Sequence, residues 1–211
     1  MIANCSDYLK TVAEIASEVD ADAVCQLRNL VFDACRSGAT TFIAGNGGNA
    51  TIAEHLALGL TLNTLRESGH GARAVALSAS GAILSAAAND FGADRVYAVQ
   101  LEALARPGDL FLALSASGQS PNLDVALQRA SRLGLRTAAI VGAGGAVASS
   151  AGMTINIRTD RWHLSDGRRD ATCSAVFEDI ATMIMHWIYG SYMDLARREC
   201  VPEAAAAHHH G

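Results

Sequence analysis

Short apolar runs alternate along the chain with stretches of helical periodicity. Residues 3–37 carry apolar positions at helical spacing and predict two helices that break near Asp20, and Gly38 is typical of a helix C-cap. Five short β-rich runs follow, and four of them end in Gly or Ser before a helical stretch. The predicted strands are Thr40–Ala44, Ala74–Ser78, Asp109–Leu114, Thr137–Val141 and Met153–Ile157.

The predicted strands are continuous apolar runs rather than alternating ones, as in Phe111–Leu114. Strands of this kind are covered by helices on both faces, which is typical of a parallel sheet. The alternation of strands and helices therefore predicts an α/β fold with a doubly wound sheet. Its ligand crevice is expected at the carboxyl ends of the strands.

The pattern predicts a single domain over residues 1–200. Two helices occupy 3–37, the βα units occupy 40–157, a polar and Arg-rich connection follows at 158–173, and a last helix covers 174–197. The tail at 201–211, with its terminal histidines, lies outside this domain.

Composition and charge narrow the functional classes. The chain has 211 residues, half of them hydrophobic, and a formal net charge of −5, with one Lys and no basic run. This balance disfavours nucleic-acid binding. No apolar stretch reaches the ~20 residues of a membrane span, and the N-terminus lacks the basic and apolar regions of a secretory signal, so we expect a cytoplasmic protein without membrane contact. The five cysteines form no CxxC pair, which indicates neither a disulfide framework nor a zinc knuckle.

The first candidate loop joins a predicted strand to a helix. Its residues are Gly45, Asn46, Gly47, Gly48 and Asn49. Glycines allow positive φ and close backbone approach, and the amides of a helix N-terminus attract an anion. The loop is neither GxGxxG nor a Walker loop, which argues against a nucleotide cofactor.

The second candidate loop is rich in serine and leads into a helix with Pro121 in its first turn. Its hydroxyls belong to Ser115, Ser117 and Ser120. Three hydroxyls and several backbone amides at a helix N-terminus, without a cationic side chain, would suit a phosphate monoester. The alternative is a serine-rich turn that only caps the helix.

Several motifs in order resemble one known family. They are GNGGNA at 45–50 followed by His55, NDFG at 89–92, RPGD at 106–109, SASGQSPN at 115–122, and a late helix bearing His186. Together, from about residue 5 to 195, they resemble the sugar isomerase (SIS) domain family, and within it the phosphoheptose isomerase group.

The resemblance implies a fold, an assembly and a substrate class. It implies a three-layer αβα sandwich with a flavodoxin-like five-stranded parallel sheet, in a homotetramer with active sites between subunits. It further implies a sugar phosphate as substrate, with Ser115, Ser117 and Ser120 around its phosphate. By the same resemblance, the glycine-rich loop at 46–49 and the pair Asn89 and Asp90 contact the substrate.

The resemblance also bears on acid–base chemistry and metal binding. Aldose–ketose isomerisation needs groups that move protons between adjacent carbons. In the group, a glutamate one helical turn after the first histidine and a late histidine do this; here the late histidine is His186, whereas the glutamate position is Gly59. Glu178 is then the candidate base and His186 the candidate acid. Some members bind zinc at these positions, which suggests His55, Glu178 and His186 as a Zn2+ set.

Other interpretations of these residues stay open. His186 lies among apolar residues and is alternatively a packed core histidine, and His55 is alternatively a buried residue at a subunit contact. The leading hypothesis is an isomerase that converts sedoheptulose 7-phosphate, or a similar ketose phosphate, to the aldose phosphate. The alternative is a non-catalytic SIS module that binds a phosphosugar or a protein, as the replication-initiator-associating members do. A third possibility is an isomerase of secondary metabolism whose sugar uses the space at Gly59.

Overall fold

The computed structural model of the chain describes residues 4–69, 71–159 and 171–200. Five strands alternate with helices, as the sequence pattern predicts. The strands are β1 (Thr41–Gly45), β2 (Ala74–Ala76), β3 (Leu110–Ser115), β4 (Arg136–Val141) and β5 (Met153–Asn156). The helices are α1 (Cys5–Ser17), α2 (Ala21–Arg36), α3 (Gly48–Leu58), α4 (Thr64–Ser68), α5 (Gly81–Phe91), α6 (Ala98–Leu104), α7 (Pro121–Arg132), α8 (Ala146–Ser150) and α9 (Ala171–Cys200). A π-helical turn, Gly59–Asn63, joins α3 to α4, and a 3-10 turn covers Ala93–Arg95.

All five strands are parallel and lie in the order β2-β1-β3-β4-β5. This is the flavodoxin-like order, in which the winding direction reverses between the first and third strands. The loops that leave β1 and β3 therefore start side by side, at the edge where ligands bind in doubly wound sheets. The predicted fold class is confirmed.

Two apolar cores lie on opposite faces of the sheet, and alternate residues of each strand point to them. Ile43 and Leu112 belong to the core beneath α1, α2, α3 and α9, whereas Phe42 and Phe111 belong to the core beneath α5, α6, α7 and α8. The strands are apolar on both sides because each side is covered by helices. This gives three layers, as the resemblance implies.

The helix after the glycine-rich loop, which the apolar pattern predicts over 50–62, has different bounds in the structure. The observed helix begins at Gly48, and its regular part ends at Leu58, because the backbone widens into the π turn. Within that turn the Thr64 hydroxyl donates to the carbonyl of Leu60. A side chain that inserts into the backbone ladder in this way is one of the common causes of a helix irregularity.

The last helix is longer than predicted at both ends and spans 171–200 instead of 174–197. The predicted polar connection at 158–173 is therefore shortened, and its central part, 160–170, lies outside the described residues, as does the tail. Although α9 has 30 residues, none of the helices in the described ranges combines the length and apolar character that a membrane crossing requires.

Candidate active site

Backbone crowding explains the glycine-rich loop that leaves β1. A Cβ on Gly45 would lie 2.6 Å from the carbonyl oxygen of Asn49, and Gly47 has a φ of +59°. Only glycine adopts such a backbone without strain. The chain thereby turns directly from β1 into α3, and the Asn49 side chain becomes 6% exposed, with a carbonyl oxygen that has no hydrogen-bond partner. We call this segment, residues 45–49, the β1–α3 junction.

The amino end of α3 is covered by a carboxylate from α9. A Cβ on Gly48 would overlap both carboxylate oxygens of Glu178, so the glycine leaves the space in which this carboxylate lies. A negative charge at this end of a helix is favourable. Burial, and then the negative charge of Asp179, nevertheless raise the pKa of Glu178 above that of an ordinary glutamate. A carboxyl group with a raised pKa is suited to exchanging protons near neutral pH.

A tyrosine from α1 supports this carboxylate pair. The Tyr8 hydroxyl donates to the Asp179 carboxylate at 2.6 Å and so links α1 to α9. Burial, the hydrogen bond to Asp179 and the charges of Asp179 and Glu178 raise the pKa of Tyr8 to about 12. The phenol is therefore protonated at neutral pH and serves as a donor.

The serine-rich loop that leaves β3 brings two of its three hydroxyls together. The Ser115 and Ser120 hydroxyls lie 3.0 Å apart, and Ser115 also accepts from the Gly118 amide at 3.1 Å. The Ser117 hydroxyl accepts from the Gln119 amide at 3.2 Å. We call residues 115–121 the β3–α7 junction. Its helix has no side-chain hydrogen bond at the cap position Ser120 and begins with a proline. The first turn of α7 carries one carboxylate, Asp124, whose oxygens accept from the Ser150 hydroxyl and the Gln128 side-chain amide. Among the described residues, no backbone amide of this turn donates to it.

Hydrogen bonds join the two junctions across the sheet edge. The side-chain amides of Asn46 and Asn122 bond reciprocally, at 2.9 Å in each direction. The buried Tyr97 hydroxyl donates to the carbonyl of Gly45 at 2.7 Å and lies 3.1 Å from the Asn46 side-chain oxygen. Because β1 and β3 are neighbours in the sheet, these contacts close one continuous polar edge. The predicted residues Asn46, Ser115 and Ser120 are thus brought to one place.

Helices α3 and α9 run side by side in the same direction. Gly48 faces Glu178, His55 faces His186 with ring centroids 4.8 Å apart, and Gly59 faces Tyr189, so the partners are offset by a constant 130 or 131 residues. A Cβ on Gly59 would lie 2.7 Å from the Tyr189 ring. The position where the resemblance expects a glutamate is therefore filled by a tyrosine ring. Both imidazoles are exposed on the single chain, so His186 is not packed in its core, whereas burial of either histidine at a subunit contact stays a prediction.

The same geometry separates Glu178 from the histidines. Glu178 and His186 are eight positions apart on α9, which corresponds to about 12 Å along the helix axis. Across residues 4–69, 71–159 and 171–200, no three His, Cys, Asp or Glu side chains come close enough together to hold a metal ion. One chain thus brings together two of the three zinc ligands suggested by the sequence. Zinc binding by His55, Glu178 and His186 stays a prediction.

The structure locates Asn89 and Asp90 in the last turn of α5, where both are exposed and bonded to each other at 2.7 Å. Helix α5 begins beside the β1–α3 junction, where the Ser78 hydroxyl bonds the Ala50 carbonyl. Asn89 and Asp90 lie about 14 Å further along the helix axis. They are not brought to the two junctions of their own chain, and their contact with substrate stays a prediction.

The RPGD motif has a structural role at the opposite edge of the sheet. The buried Asp109 carboxylate accepts from the amides of Thr40 and Arg106, both at 2.7 Å, and so holds together the segments that start β1 and β3.

Sequence analysis missed three residues of the site: Asn122, Tyr97 and Tyr189. Asn122 lies within SASGQSPN, two residues after Ser120, which was the available signal. Tyr97 and Tyr189 act through contacts with residues 52 and 130 positions away, and no local pattern marks them.

Together, the sheet order and the joined junctions define a doubly wound α/β protein with its polar edge at the topological switch point. The family model of the SIS domain matches residues 7–142, more than half of the chain. The chain belongs to the SIS domain family.

The most informative relatives carry one name. The phosphoheptose isomerase of Chlorobaculum parvum is 37% identical over 169 residues, which are 76% of this chain and 81% of the relative. The probable phosphoheptose isomerase of Thermoplasma acidophilum is 33% identical over 154 residues, 72% of this chain and 84% of the relative. Among solved structures, phosphoheptose isomerase GmhA from Neisseria gonorrhoeae matches with a TM-score of 0.74 at 23% identity, covering 90% of this chain and 94% of that one. At that identity the structural match supports the fold.

Proposed function

We propose that this protein is a sugar-phosphate isomerase that holds the phosphate of its substrate at the β3–α7 junction. The joined junctions carry this proposal: hydroxyls of Ser115, Ser117 and Ser120 converge at a helix N-terminus, and the Asn46–Asn122 pair ties that site to the β1–α3 junction. Backbone amides at a helix N-terminus bind phosphate without a cationic side chain. The relatives named phosphoheptose isomerase support an enzyme of this class.

The two helix N-termini divide the work in this proposal. At α3 the Glu178 carboxylate occupies the space beside Gly48, and it would repel a phosphate. At α7 the carboxylate of the first turn, Asp124, is bonded to Ser150 and Gln128, and within the described residues no carboxylate accepts from the first backbone amides. The phosphate is therefore assigned to α7, and the carbon chain of the sugar extends toward α3 and Glu178.

Glu178 is the proposed base for the carbon-to-carbon proton transfer. It removes the proton from the carbon next to the carbonyl, which yields an enediol, and it returns the proton to the neighbouring carbon. Its raised pKa matches the carboxyl group to both steps. His186 is the proposed acid: it gives a proton to the carbonyl oxygen as the enediol forms and takes one back from the neighbouring hydroxyl as the new carbonyl forms. The separation along α9 assigns Glu178 and His186 to different atoms of the substrate.

We propose sedoheptulose 7-phosphate as the substrate. The names of the relatives favour the same substrate. Assembly into a homotetramer with sites between subunits, and a cytoplasmic location, are further parts of this proposal.

The test is turnover by the purified protein. Sedoheptulose 7-phosphate is incubated with the protein, with added zinc in one series and a chelator in the other, and the aldose phosphate is measured by NMR. Fructose 6-phosphate serves as the shorter comparison substrate. We expect conversion of the heptulose in preference to the hexulose. Binding of the heptulose without turnover in either series would assign the protein to the non-catalytic modules, and the absence of both binding and turnover would refute the proposal.

A further inference from the structure

We propose that Tyr189 positions the imidazoles of His55 and His186, and that glycine at position 59 is what allows the tyrosine ring to lie there. In this arrangement Tyr189 does not exchange protons with substrate. It acts through the two histidines, so the inference rests on the proposed isomerase function.

The contact between Gly59 and Tyr189 is too close for any side chain at position 59. A Cβ there would lie 2.7 Å from Cδ1 and 3.0 Å from Cγ and Cε1 of the ring. Because three ring atoms lie this close, a Cβ at position 59 would have to displace the half-buried ring itself. A ring gives way less easily than the end of a flexible side chain. Glycine also weakens a helix interior. Its presence on a buried helix turn is explained by the tyrosine that it admits.

Tyr189 in turn completes a cluster of three rings. Its centroid lies 5.5 Å from that of His186, at an interplanar angle of 80°, and 6.4 Å from that of His55. The two imidazoles are themselves 4.8 Å apart in an edge-on arrangement. Both distances to Tyr189 fall within the range in which aromatic rings interact favourably.

The spacing along both helices places these residues on facing surfaces. Tyr189 follows His186 by three residues, and Gly59 follows His55 by four, so each pair shares one side of its helix. Within the described part of the chain, neither imidazole is hydrogen-bonded to another residue, and both are exposed. The ring contacts are therefore what limits the rotation of the two histidines.

Limiting that rotation matters for proton transfer. An imidazole that gives or takes a proton must hold one nitrogen within hydrogen-bond distance of the substrate atom, and small misplacements reduce rates strongly. Two exposed imidazoles without hydrogen bonds would otherwise sample several rotamers. The tyrosine ring reduces this freedom at the cost of a glycine in the helix.

The experiment uses four variants of the full chain. Gly59→Ala introduces the Cβ that must displace the ring, and Tyr189→Ala removes the ring without adding volume. Tyr189→Phe keeps the ring. Gly190→Ala is the matched control, because it also replaces a glycine by alanine in a helix, but a Cβ at that position meets nothing within 4 Å.

Two readouts are measured on each variant. The first is the 1H–13C NMR signal of each imidazole, assigned with His55→Gln and His186→Gln, which reports the neighbouring ring whether or not the protein is active. The second is kcat and KM for the isomerisation. We expect Gly59→Ala and Tyr189→Ala to shift both imidazole signals and to lower kcat about tenfold or more with KM nearly constant. Tyr189→Phe restores the signals and kcat that Tyr189→Ala loses, and Gly190→Ala matches the wild type.

Each of the other outcomes would refute one part of the proposal. Unchanged imidazole signals in Tyr189→Ala would refute the positioning role. Shifted signals with an unchanged kcat would refute its importance for catalysis. If the wild type itself shows no turnover, the proposed function fails, whereas the NMR comparison still decides whether Tyr189 holds the rings. If Gly59→Ala does not fold, Tyr189→Ala and the double variant Gly59→Ala/Tyr189→Ala, in which the clash is absent, provide the same test.

Discussion

The β1–α3 and β3–α7 junctions have similar backbones, but different side chains lie at their helix N-termini. Each turns from a buried parallel strand directly into a helix, and each needs glycine to do so. At α3 a carboxylate from α9 lies over the helix N-terminus, whereas at α7 the N-terminus is surrounded by serine hydroxyls. Two similar anion-attracting ends thus acquire opposite electrostatic character. What a helix N-terminus binds is decided by the side chains that distant segments bring to it.

Removing the negative charge of Glu178 at the β1–α3 junction tests the proposed role of this side chain as the base. Glu178→Gln keeps the size of the side chain and removes the base, so we expect kcat to fall by about 10²- to 10⁴-fold with little change in KM. Because burial and Asp179 raise the pKa of Glu178, the acid limb of the wild-type kcat profile should lie at higher pH than for an ordinary glutamate. Steady-state kinetics across pH measures both effects.

Glu54→Gln is the control for that substitution. Glu54 is an exposed carboxylate on the same helix pair, one residue before His55, and no contact ties it to either junction. Activity should be retained. An equal loss of kcat in both variants would contradict a specific role for Glu178.

A negative charge added at the β3–α7 junction would make it resemble the β1–α3 junction, where the Glu178 carboxylate lies. Ser117→Asp keeps an acceptor for the Gln119 amide but places a carboxylate beside the proposed phosphate. A like charge at about 5 Å costs roughly 3 kcal/mol at an effective dielectric of 20, which is about 100-fold in affinity. Titration calorimetry with a sugar phosphate measures the loss. Ser117→Asn, of the same shape and uncharged, should bind within a few fold of the wild type, and equal weakening by both would place the phosphate elsewhere.

Breaking the link between the junctions has a smaller expected effect. Asn46→Ala and Asn122→Ala each remove the reciprocal amide pair, which is worth about 1 kcal/mol, or about fivefold in affinity for a sugar phosphate. Because the two residues act as one unit, the double variant should bind about as well as either single variant. Fully additive losses would show that the pair does not couple the junctions.

The smallest expected effect concerns the hydrogen bond that Tyr8 donates to Asp179, next to Glu178. Tyr8→Phe removes the hydrogen bond to Asp179 and should lower the free energy of unfolding by about 0.5 to 1 kcal/mol at pH 7, since the pair is partly exposed. The pKa of Tyr8 is raised from 10.0 to about 12 in the folded protein, so this stabilisation is complete below pH 10 and is lost as the pH rises toward 12. Denaturant unfolding at pH 7, 9 and 11 checks it, and a difference that grows above pH 10 would contradict the assignment.

Most of the fold could be predicted because its determinants are local. Apolar runs bounded by Gly and Ser locate the strands to within one residue, except that β2 ends at Ala76, two residues before the predicted end at Ser78. Gly38, the predicted helix end, has a φ of +70°. The π turn after Leu58 was not predictable, because a run of apolar residues with helical spacing does not reveal that the Thr64 hydroxyl bonds the Leu60 carbonyl.

The candidate site was predictable in its parts but not in its connections. Glycine- and serine-rich loops after strands indicate where an anion could bind, so the two junctions are readable from the sequence. That Glu178 lies over Gly48, apart from His186, depends on the register between α3 and α9, which tertiary packing sets. The zinc grouping of His55, Glu178 and His186 stays a prediction, since helical spacing alone does not show whether three side chains reach one point.

Three pairs of residues face each other along α3 and α9 at a nearly constant offset: Gly48 with Glu178, His55 with His186, and Gly59 with Tyr189. A single residue inserted into α9 between Glu178 and His186 would rotate everything beyond it by about 100°, so that His186 and Tyr189 would leave their partners together while Glu178 kept its own. A change in the length of α9 would therefore displace several of these side chains at once, whereas a substitution alters only one of them. The spacing of eight positions between the carboxylate and the imidazole is thus as much a part of the site as the residues themselves.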